Sequence, residues 1–392
     1  MRLLVLDSHP VSYKVPLYRK LSQIPGMEII VVYCDKFGVE VYTDPQINKI
    51  LRWDEDFLSG YRYKFLRNYS PRRSPYSFWG EVNLSIFTEV RNGHFDAILI
   101  NGYARASDWI GFLAAWVNRI PIIFRGEADL IKPTTKMRRV LKRVVLPRLF
   151  KRCAAILYSC QSNANYFRYY GVPEEKLFFF PCAVDNDFFQ SEAARLKPCR
   201  EALRKEIGVP AEAVVVLFVG RLTMKKRPMD LLQAFHKGAP DNAWLVFVGD
   251  GPERRAMEEY LQRYNLKRVI IVGFKNRSEI SEYYAIADML VVPSDYDRSP
   301  KVINEAMNFG IPIIASDKVG TVGDLVKPGE NELVFPCGDI DALANHIKRL
   351  CTDANLREKM GACALQTVSE WNFDKQVEGV LAALEYALRG RK

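Results

Sequence analysis

The residues best suited to chemistry lie in the second half of the chain, in the stretch Asp297-Arg298-Ser299-Pro300-Lys301-Val302-Ile303-Asn304-Glu305. An apolar run precedes this stretch, and the residue pattern from Lys301 predicts a helix. Ser299 and Pro300 are typical of an N-cap and first helical turn, which leaves the helix N-terminus available to an anion. On the second turn, Glu305 can accept two hydrogen bonds from paired hydroxyls such as those of a ribose. A local cap or ion pair is the alternative for this carboxylate.

Two further loops carry a complementary pattern. Gly220-Arg221-Leu222 follows an apolar strand and is succeeded by Lys226, close to a predicted helix N-terminus. Cations at such a position neutralise a diphosphate while backbone N–H groups bind its oxygens. After the next strand, Gly249-Asp250-Gly251-Pro252 is typical of a tight turn that leads into a helix.

These loops require a scaffold of buried strands alternating with amphipathic helices, and the chain shows that alternation twice. It predicts an α/β protein with two doubly wound parallel sheets. The predicted strands of the first set are Leu3–Leu6, Glu28–Tyr33, Ala97–Ile100, Pro121–Phe124 and Ala155–Ser159. Those of the second set are Val214–Val219, Ala243–Val248, Val269–Val272, Met289–Val292 and Pro312–Ala315.

A change of composition between about Asp185 and Pro198 separates the two sets. The predicted domains are therefore 1–190 and 196–371. The last segment, 372–392, contains the amphipathic pattern Phe373 to Leu388, and we expect this helix to return to the first domain.

Taken in order, the motifs resemble those of the GT-B-fold glycosyltransferases of family 4. The matching stretches are Phe218-Val219-Gly220-Arg221-Leu222 with Lys226, Phe247–Pro252, Asp297–Met307, Gly310–Ala315, and Pro181 with Val184-Asp185. The resemblance covers essentially the whole chain. It implies two Rossmann-like domains that face each other across a cleft, the first binding an acceptor and the second a nucleotide-sugar donor.

The resemblance also implies roles for individual residues. Arg221 and Lys226 would bind the donor diphosphate, Glu305 the ribose and Asp297 the donor sugar. The full implied donor site is Gly220, Arg221, Lys226, Gly249, Gly251, Phe274, Asp297, Ser299, Pro300, Lys301, Val302 and Glu305. The residues implied in catalysis are Asp297, Glu127, Arg221 and Lys226.

The chain departs from the family pattern in three places. Asp297 replaces the usual Glu, and Ser299-Pro300 replaces the usual Phe-Gly before the helix. The loop after the first strand, Asp7-Ser8-His9-Pro10, is not glycine-rich. The first two departures leave the identity of the donor sugar open.

Candidate acceptor residues follow strands of the first domain, where a doubly wound sheet binds its ligands. They are His9, Tyr13, Asn101, Arg125 and Glu127. Glu127 would orient the acceptor hydroxyl, and Arg125 would contact a phosphate or a sugar acid. A local Arg–Glu pair is the alternative for the last two residues.

The net charge is +10 and the sequence pI is about 9.1, which favours anionic partners. Lys132 to Arg152 carries many basic and no acidic residues, with apolar residues at helical spacing, and Pro147 is expected to end or kink this helix. Such a helix suits an anionic membrane surface; the alternative is a helix whose apolar face packs on its own sheet. Tyr61–Tyr76, basic and aromatic, points the same way. No nucleic-acid-reading motif accompanies the charge, so we expect no nucleic-acid partner.

The expected reaction is retaining transfer of a sugar from a UDP- or GDP-sugar to a hydroxyl, without a metal or other cofactor. The eight cysteines lack metal-site spacing, and we find no signal peptide or membrane-spanning run. We therefore predict a cytoplasmic enzyme at the inner membrane face, with a lipid-linked or polysaccharide-precursor acceptor for a glycolipid or exopolysaccharide. The alternatives are a GT-B phosphorylase or epimerase and a non-catalytic nucleotide-sugar-binding subunit.

Overall fold

The computed structural model describes residues 1–39, 42–44, 49–51, 56–131 and 134–389. Lys132, the first residue of the predicted basic segment, lies outside them. The chain divides into two compact units. The first comprises Met1–Tyr42, Ile50–Pro181 and Phe373–Lys392, and the second comprises Thr43–Lys49 and Cys182–Asn372.

The first unit contains a seven-stranded sheet with the order β5-β2-β1-β6-β7-β8-β9. All of its neighbouring strands pair in parallel. The strands are β1 Arg2–Asp7, β2 Glu28–Tyr33, β5 Arg62–Phe65, β6 Ala97–Asn101, β7 Ile122–Arg125, β8 Ala155–Tyr158 and β9 Leu177–Phe179. A separate two-stranded sheet joins β3 Tyr42–Asp44 and β4 Lys49–Leu51.

The second unit contains a six-stranded parallel sheet with the order β12-β11-β10-β13-β14-β15. The strands are β10 Val214–Val219, β11 Ala243–Val248, β12 Val269–Gly273, β13 Met289–Val292, β14 Ile313–Ser316 and β15 Glu332–Phe335. In both sheets a central strand is flanked by strands from different parts of the chain, so both are doubly wound as predicted.

The helices lie between the strands. They are α1 Val15–Ser22, α2 Ile86–Asn92, α3 Ala106–Val117, α4 Lys136–Lys151, α5 Gln161–Tyr169, α6 Asn186–Leu196, α7 Arg200–Glu206, α8 Pro228–Gly238, α9 Arg254–Arg263, α10 Arg277–Ile286, α11 Lys301–Met307, α12 Ile340–Thr352, α13 Ala354–Ser369 and α14 Phe373–Leu388. Among the described helices, none is both long and apolar enough to cross a membrane.

The ten predicted strands are present, with ends that agree to about one residue. Five of the described strands were not predicted: the short pair β3 and β4, and the strands β5, β9 and β15 of the two large sheets. The last three lie at the edges of the large sheets, where a strand has only one hydrogen-bonded neighbour and can be short or carry charged residues. The sequence of β5, Arg-Tyr-Lys-Phe, shows no apolar run at all.

The boundary between the units lies at Pro181, before the expected residue 190. Helix α6 accounts for the difference because its first residue is held within the second unit. The Asn186 side chain donates to the Val368 carbonyl over 2.9 Å, and it accepts from the Asn308 amide over 2.9 Å.

Helix α14 belongs to the first unit and packs against β8, β9 and α1. Gly379 allows the close approach, since a Cβ there would lie 2.1 Å from the Phe179 carbonyl oxygen. The buried Gln376 side chain donates to the Pro181 carbonyl over 2.7 Å.

Helix α4 continues through Pro147 to Lys151, so the proline does not end it as one alternative predicted. Of its residues, Leu146, Leu149 and Phe150 are buried, which anchors the end of the helix beyond the proline.

Candidate functional site

Three glycines mark the carboxyl ends of β10, β11 and β12. The Gly249 amide donates to the Gly273 carbonyl over 2.8 Å, and the Gly220 amide donates to the Val248 carbonyl over 2.9 Å. A Cβ at Gly249 would lie 1.9 Å from the Gly220 carbonyl oxygen, so no other residue fits without moving the backbone. The loops are therefore packed backbone to backbone, with little side-chain bulk between them and a ligand.

Gly251 also allows close backbone packing, here against the loop after β10. Its Cβ would lie 2.3 Å from the Leu222 carbonyl oxygen. Hydrogen bonds from the Leu222 amide to the Asp250 carbonyl (3.0 Å) and from the Glu253 amide to the Leu222 carbonyl (3.0 Å) join the two loops. Arg221 is thus presented from a braced loop and is half-buried.

Lys226 and Asp297, far apart in sequence, form an ion pair in the second unit. Their loops are joined by a hydrogen bond from the Asp295 amide to the Lys225 carbonyl over 3.0 Å. Lys225 also lies over the Tyr296 ring, 4.8 Å from its centroid. Two residues predicted to contact different parts of one donor therefore contact each other.

The backbone of Asp297 is anchored as well. The Gly320 amide donates to the Asp297 carbonyl over 2.7 Å. A Cβ at Gly320 would lie 2.4 Å from the Arg298 carbonyl oxygen. The segment before α11 is consequently held by a loop that no motif in the sequence identified.

Ser299 is not the N-cap of α11, contrary to the prediction. The cap is Pro300, whose extended backbone (φ −67, ψ 116) delays the helix until Lys301, and no side chain caps it. Ser299 is one residue too early to reach the first helical amides. Its hydroxyl oxygen is buried and has no hydrogen-bond partner among the residues that the structure describes.

Glu305 projects from α11 and accepts a hydrogen bond from the Tyr284 hydroxyl over 2.6 Å. Burial, together with the nearby Glu305 charge, raises the pKa of Tyr284 well above its usual value, so the hydroxyl remains a donor. This contact orients the half-buried carboxylate. Tyr284 was not predicted, because its spacing on α10 is that of an ordinary core residue.

Amide side chains also fix α11 in the second unit. The Asn304 side chain donates to the Cys182 carbonyl over 2.9 Å, and Lys301 contacts the Cys182 thiol. Asn308 donates to Asn186, as described above. The remaining predicted donor residues lie nearby in sequence: Val302 is half-buried on the first turn of α11, and Phe274 is half-buried directly after β12.

In the first unit, polar residues cluster where β1 ends. Both carboxylate oxygens of the buried Asp7 accept from Lys14, over 2.7 and 2.8 Å, and one accepts from the Tyr18 hydroxyl over 2.7 Å. Burial opposes ionisation of Asp7, yet Lys14 holds its pKa below the usual value. The ionised pair braces the loop that carries His9.

His9 is the first predicted acceptor residue in this loop, and its Nδ1 lies 2.8 Å from the Ser8 hydroxyl. The Ser8 hydroxyl donates to the buried Glu81. When Glu81 is ionised, the single proton of the Ser8 hydroxyl goes to Glu81, so Ser8 accepts from a protonated Nδ1 and the lone pair of His9 is on Nε2. Burial lowers the pKa of His9 to about 4, so the ring is neutral at pH 7.

Glu81 lies beneath this arrangement. Burial raises its pKa to about 7, opposed by the charge of Arg105, whose guanidinium is 3.6 Å away. Arg105 also pairs with the buried Asp108 over 3.0 Å. Neither Glu81 nor Arg105 was predicted; both follow segments without a recognisable motif.

The other predicted acceptor residues are arranged separately. Arg125 and Glu127 form an ion pair with each other, and Arg125 is buried with its guanidinium 5.0 Å from the centre of the Phe180 ring. Asn101 is buried, and its carbonyl accepts from Arg105 over 2.7 Å. Tyr13 is exposed.

Comparison with known proteins finds a family match within the second unit. Residues 200–367 match the family model described as glycosyl transferases group 1. The match confirms the resemblance to glycosyltransferases that the motifs indicated. The matched region contains every predicted donor residue.

Two curated relatives are similar to parts of the chain. One is the D-inositol 3-phosphate glycosyltransferase of Xylanimonas cellulosilytica, 27% identical over 60% of this chain and 58% of that protein. The other is the N-acetyl-alpha-D-glucosaminyl L-malate synthase of Bacillus anthracis, 27% identical over 46% of this chain and 48% of that protein. The matched stretches thus span about half the length of these relatives.

Among solved structures, Anabaena Alr3699/HepE in complex with UDP is similar in fold, with a TM-score of 0.73. The match covers 98% of this chain and 100% of that chain at 19% sequence identity. The predicted architecture of two Rossmann-like domains is therefore confirmed at the level of fold.

Proposed function

We propose that this protein transfers a sugar from a nucleotide sugar to a hydroxyl acceptor, because residues 200–367 match the model of glycosyl transferases group 1 and the chain has the GT-B fold. The observation that carries the proposal is the Lys226–Asp297 ion pair beside the glycine loops of the second unit. It places a cation and a carboxylate together where a sugar diphosphate offers the complementary groups.

Lys226 and Arg221 bind the diphosphate in this proposal. A diphosphate attracts Lys226 more strongly than a single carboxylate does, so donor binding draws Lys226 away from Asp297. Asp297 is then available to accept hydrogen bonds from the donor sugar hydroxyls. Without donor, the ion pair keeps both side chains close to their working positions and neutralises their charges.

Glu305 binds the ribose. Its carboxylate can accept further hydrogen bonds beyond the one from Tyr284, and two vicinal hydroxyls of a ribose can donate them. Tyr284 fixes the orientation of the carboxylate before the nucleotide arrives, which lowers the entropic cost of binding. The UDP in the Anabaena structure supports a uracil nucleotide as the donor.

Transfer proceeds with retention and without a metal in this proposal. Negative charge builds on the leaving diphosphate, where Arg221 and Lys226 stabilise it electrostatically. The leaving phosphate accepts the proton of the acceptor hydroxyl on the same face of the sugar. The family resemblance supports retention, and the product anomer measured by NMR tests it.

The acceptor is proposed to be lipid-linked, at the cytoplasmic face of a membrane, for a glycolipid or polysaccharide. Helix α4 supports this because Met137, Val140, Leu141 and Val144 are exposed by 80%, 63%, 61% and 50%. The alternative was that the apolar face packs on its own sheet, but only residues at the end of the helix are buried. Exposed Arg138 and Arg139 flank the apolar residues, as expected at an anionic surface.

The donor site is tested with Lys226→Ala and Glu305→Gln, assayed for nucleotide release and product formation with a panel of UDP- and GDP-sugars. We expect kcat/KM to fall by about 100-fold or more for Lys226→Ala, and by about 10- to 100-fold for Glu305→Gln. In the latter variant, the amide oxygen still accepts from Tyr284, so the melting temperature should not change.

Matched controls are Lys237→Ala and Glu258→Gln, which change exposed residues of the same unit. Wild-type activity in either site variant would refute the assignment. Nucleotide binding by the wild-type protein without any transfer would favour a non-catalytic binding subunit, and phosphate-dependent breakdown of a glycoside would favour a phosphorylase.

A further inference from the structure

A cavity of about 350 Å³ opens in the first unit where β2 and β5 end. None of the predicted acceptor residues lines it. Its walls include Asp35, Lys36, Phe37, Phe65, Arg67 and Arg73. The volume is in the range of small-ligand sites.

The cavity adjoins the His9 loop through a chain of aromatic contacts. The Phe37 ring meets the His9 ring edge to face, with centroids 5.2 Å apart. Phe37 also meets Tyr76 in an edge-to-face contact, with centroids 6.0 Å apart. Aromatic contacts therefore connect the wall of the cavity to the His9 imidazole.

The charge of the cavity is predominantly positive. Lys36, Arg67 and Arg73 are exposed, and the described part of the chain offers none of them a carboxylate within ion-pair distance. Two basic residues of the neighbouring strand β5 are paired instead: Arg62 with Glu28, and Lys64 with Glu89. The three cations around the cavity are thus not neutralised by an ion pair among the described residues, in contrast to those of the adjacent strand.

The one acid in the wall, Asp35, is already engaged. Its carboxylate accepts from the Phe37 amide over 3.1 Å and from the Asn68 side chain over 3.2 Å. Asn68 is buried, and its amide also donates to the Gly80 carbonyl over 3.0 Å. These bonds hold the loops that carry Phe37 and Arg67 in place without any ligand.

We propose that this cavity binds the acceptor of the transfer reaction, and that the acceptor is a saccharide bearing a phosphate. The apolar face of a sugar ring packs on Phe37, and the phosphate lies among Lys36, Arg67 and Arg73. A cluster of three cations matches a group with up to two negative charges and three acceptor oxygens. The proposal rests on the proposed transferase function, since it names the substrate of that reaction.

The same chemistry is present in a free sugar phosphate and in a sugar phosphate attached to a lipid. Both place one ring and one phosphate in the cavity. They differ only in what is attached to the phosphate on the solvent side. One set of variants therefore tests the shared sugar-phosphate chemistry, and a comparison of free with lipid-linked ligands shows which of the two is bound more tightly.

The test is calorimetric binding of the full chain to hexose 1-phosphates (gluco, galacto, manno and N-acetylgluco) and to the matching methyl glycosides, without donor. We expect at least one phosphate to bind about tenfold or more tightly than its glycoside, and the preference to weaken with added salt. Arg67→Ala and Arg73→Ala should each weaken phosphate binding by about tenfold. Phe37→Leu should weaken sugar phosphate binding more than inorganic phosphate binding.

Arg91→Ala, an exposed arginine of the same unit, is the matched control and should bind as wild type. The same sugars on a polyprenyl phosphate in phosphatidylcholine vesicles form the second arm: tighter binding than the free phosphate identifies the lipid-linked source, and equal binding the free one. The proposal is overturned if no hexose phosphate binds more tightly than its glycoside, or if Arg67→Ala and Arg73→Ala bind as wild type. Since no donor is used, this failure is distinct from loss of transfer in the donor-site variants.

Discussion

Charged and polar site residues satisfy one another in the ligand-free protein. Lys226 pairs with Asp297, Arg125 pairs with Glu127, and Glu305 accepts from Tyr284. A buried or half-buried charge is costly without a partner, so such pairs keep the site ordered. In the proposed function, a ligand replaces one of these partners, and a ligand with both anionic and hydroxyl groups can replace either a carboxylate or a cation.

The most specific residue-level expectation concerns His9. Above pH 7 the Glu81 carboxylate is ionised and accepts from Ser8, so His9 should carry its proton on Nδ1. Below pH 7 protonated Glu81 frees the Ser8 proton for Nδ1, and the tautomer preference should decline. Asp7, Asp35, Lys14 and Arg105 also act on the ring, and its own protonation is expected near pH 4. Long-range ¹⁵N–¹H spectra between pH 4 and 8 measure the tautomer.

The chain has four histidines, so His9→Gln assigns the signal. Ser8→Ala should abolish the tautomer preference at pH 8 while the other three histidines keep their signals. A wild-type ring protonated on Nε2 at pH 8 would contradict the hydrogen-bond chain through Ser8.

At the scale of elements, the loops of the second unit depend on backbone approach. Gly220, Gly249 and Gly251 let the ends of β10 and β11 lie in contact, where any Cβ at Gly249 or Gly251 meets a carbonyl oxygen. The side chains predicted to bind the donor come from these loops, while the strands beneath are buried and apolar. Rigid strands and bare loops together give a surface that a diphosphate can approach closely.

Strand β15 contains an unusual residue with a consequence for stability. Glu332 is fully buried, and neither carboxylate oxygen has a hydrogen-bond partner in the described parts of the chain. Burial raises its pKa to about 9. Between the ordinary glutamate pKa of 4.5 and pH 9 the folded protein holds a proton that the unfolded chain releases, so stability falls as pH rises through this window.

Glu332→Gln should remove that slope. At pH 8 we expect the variant to be more stable than wild type by about 1–3 kcal/mol, and the difference to vanish toward pH 4.5. Urea denaturation across this pH range measures it. Glu330→Gln, at an exposed neighbouring position, is the control and should follow wild type; parallel pH profiles for Glu332→Gln and wild type would contradict the expectation.

At the scale of the whole molecule, the net charge of +10 is distributed unevenly. In the second unit many cations are paired, such as Arg200 and Arg204 with Asp288. On α4 the first described turns carry basic residues and no acids. A local excess of this kind creates a field that attracts an anionic surface, whereas paired charges do not.

The proposed contact of α4 with a membrane predicts that vesicle binding depends on this excess. Arg138→Gln/Arg139→Gln should reduce cosedimentation with phosphatidylglycerol-containing vesicles by roughly tenfold or more, at about 1 kcal/mol for each basic residue near the surface. Added salt should weaken wild-type binding similarly. Lys348→Gln/Arg349→Gln on α12, exposed residues of the second unit, is the control. Equal partitioning of both double variants would contradict membrane contact through α4.

The sequence alone determined the alternation of strands and helices in both units and the positions of the glycine loops. Runs such as Val214–Val219 are apolar throughout because both sheet faces are covered, and that requirement is local in the sequence. Motif order sufficed to place Arg221, Lys226, Asp297 and Glu305 in one unit. Edge strands such as β5 escaped prediction because they need not be apolar.

Only the tertiary structure decided which side chains meet. The Lys226–Asp297 pair, the Tyr284–Glu305 hydrogen bond and the Ser8–Glu81 contact join residues that are distant in sequence. It also moved the N-cap of α11 to Pro300 and placed α6 in the second unit. Such outcomes depend on how the elements pack and on which polar groups must form hydrogen bonds or ion pairs when they are buried. Local sequence periodicity contains neither kind of information.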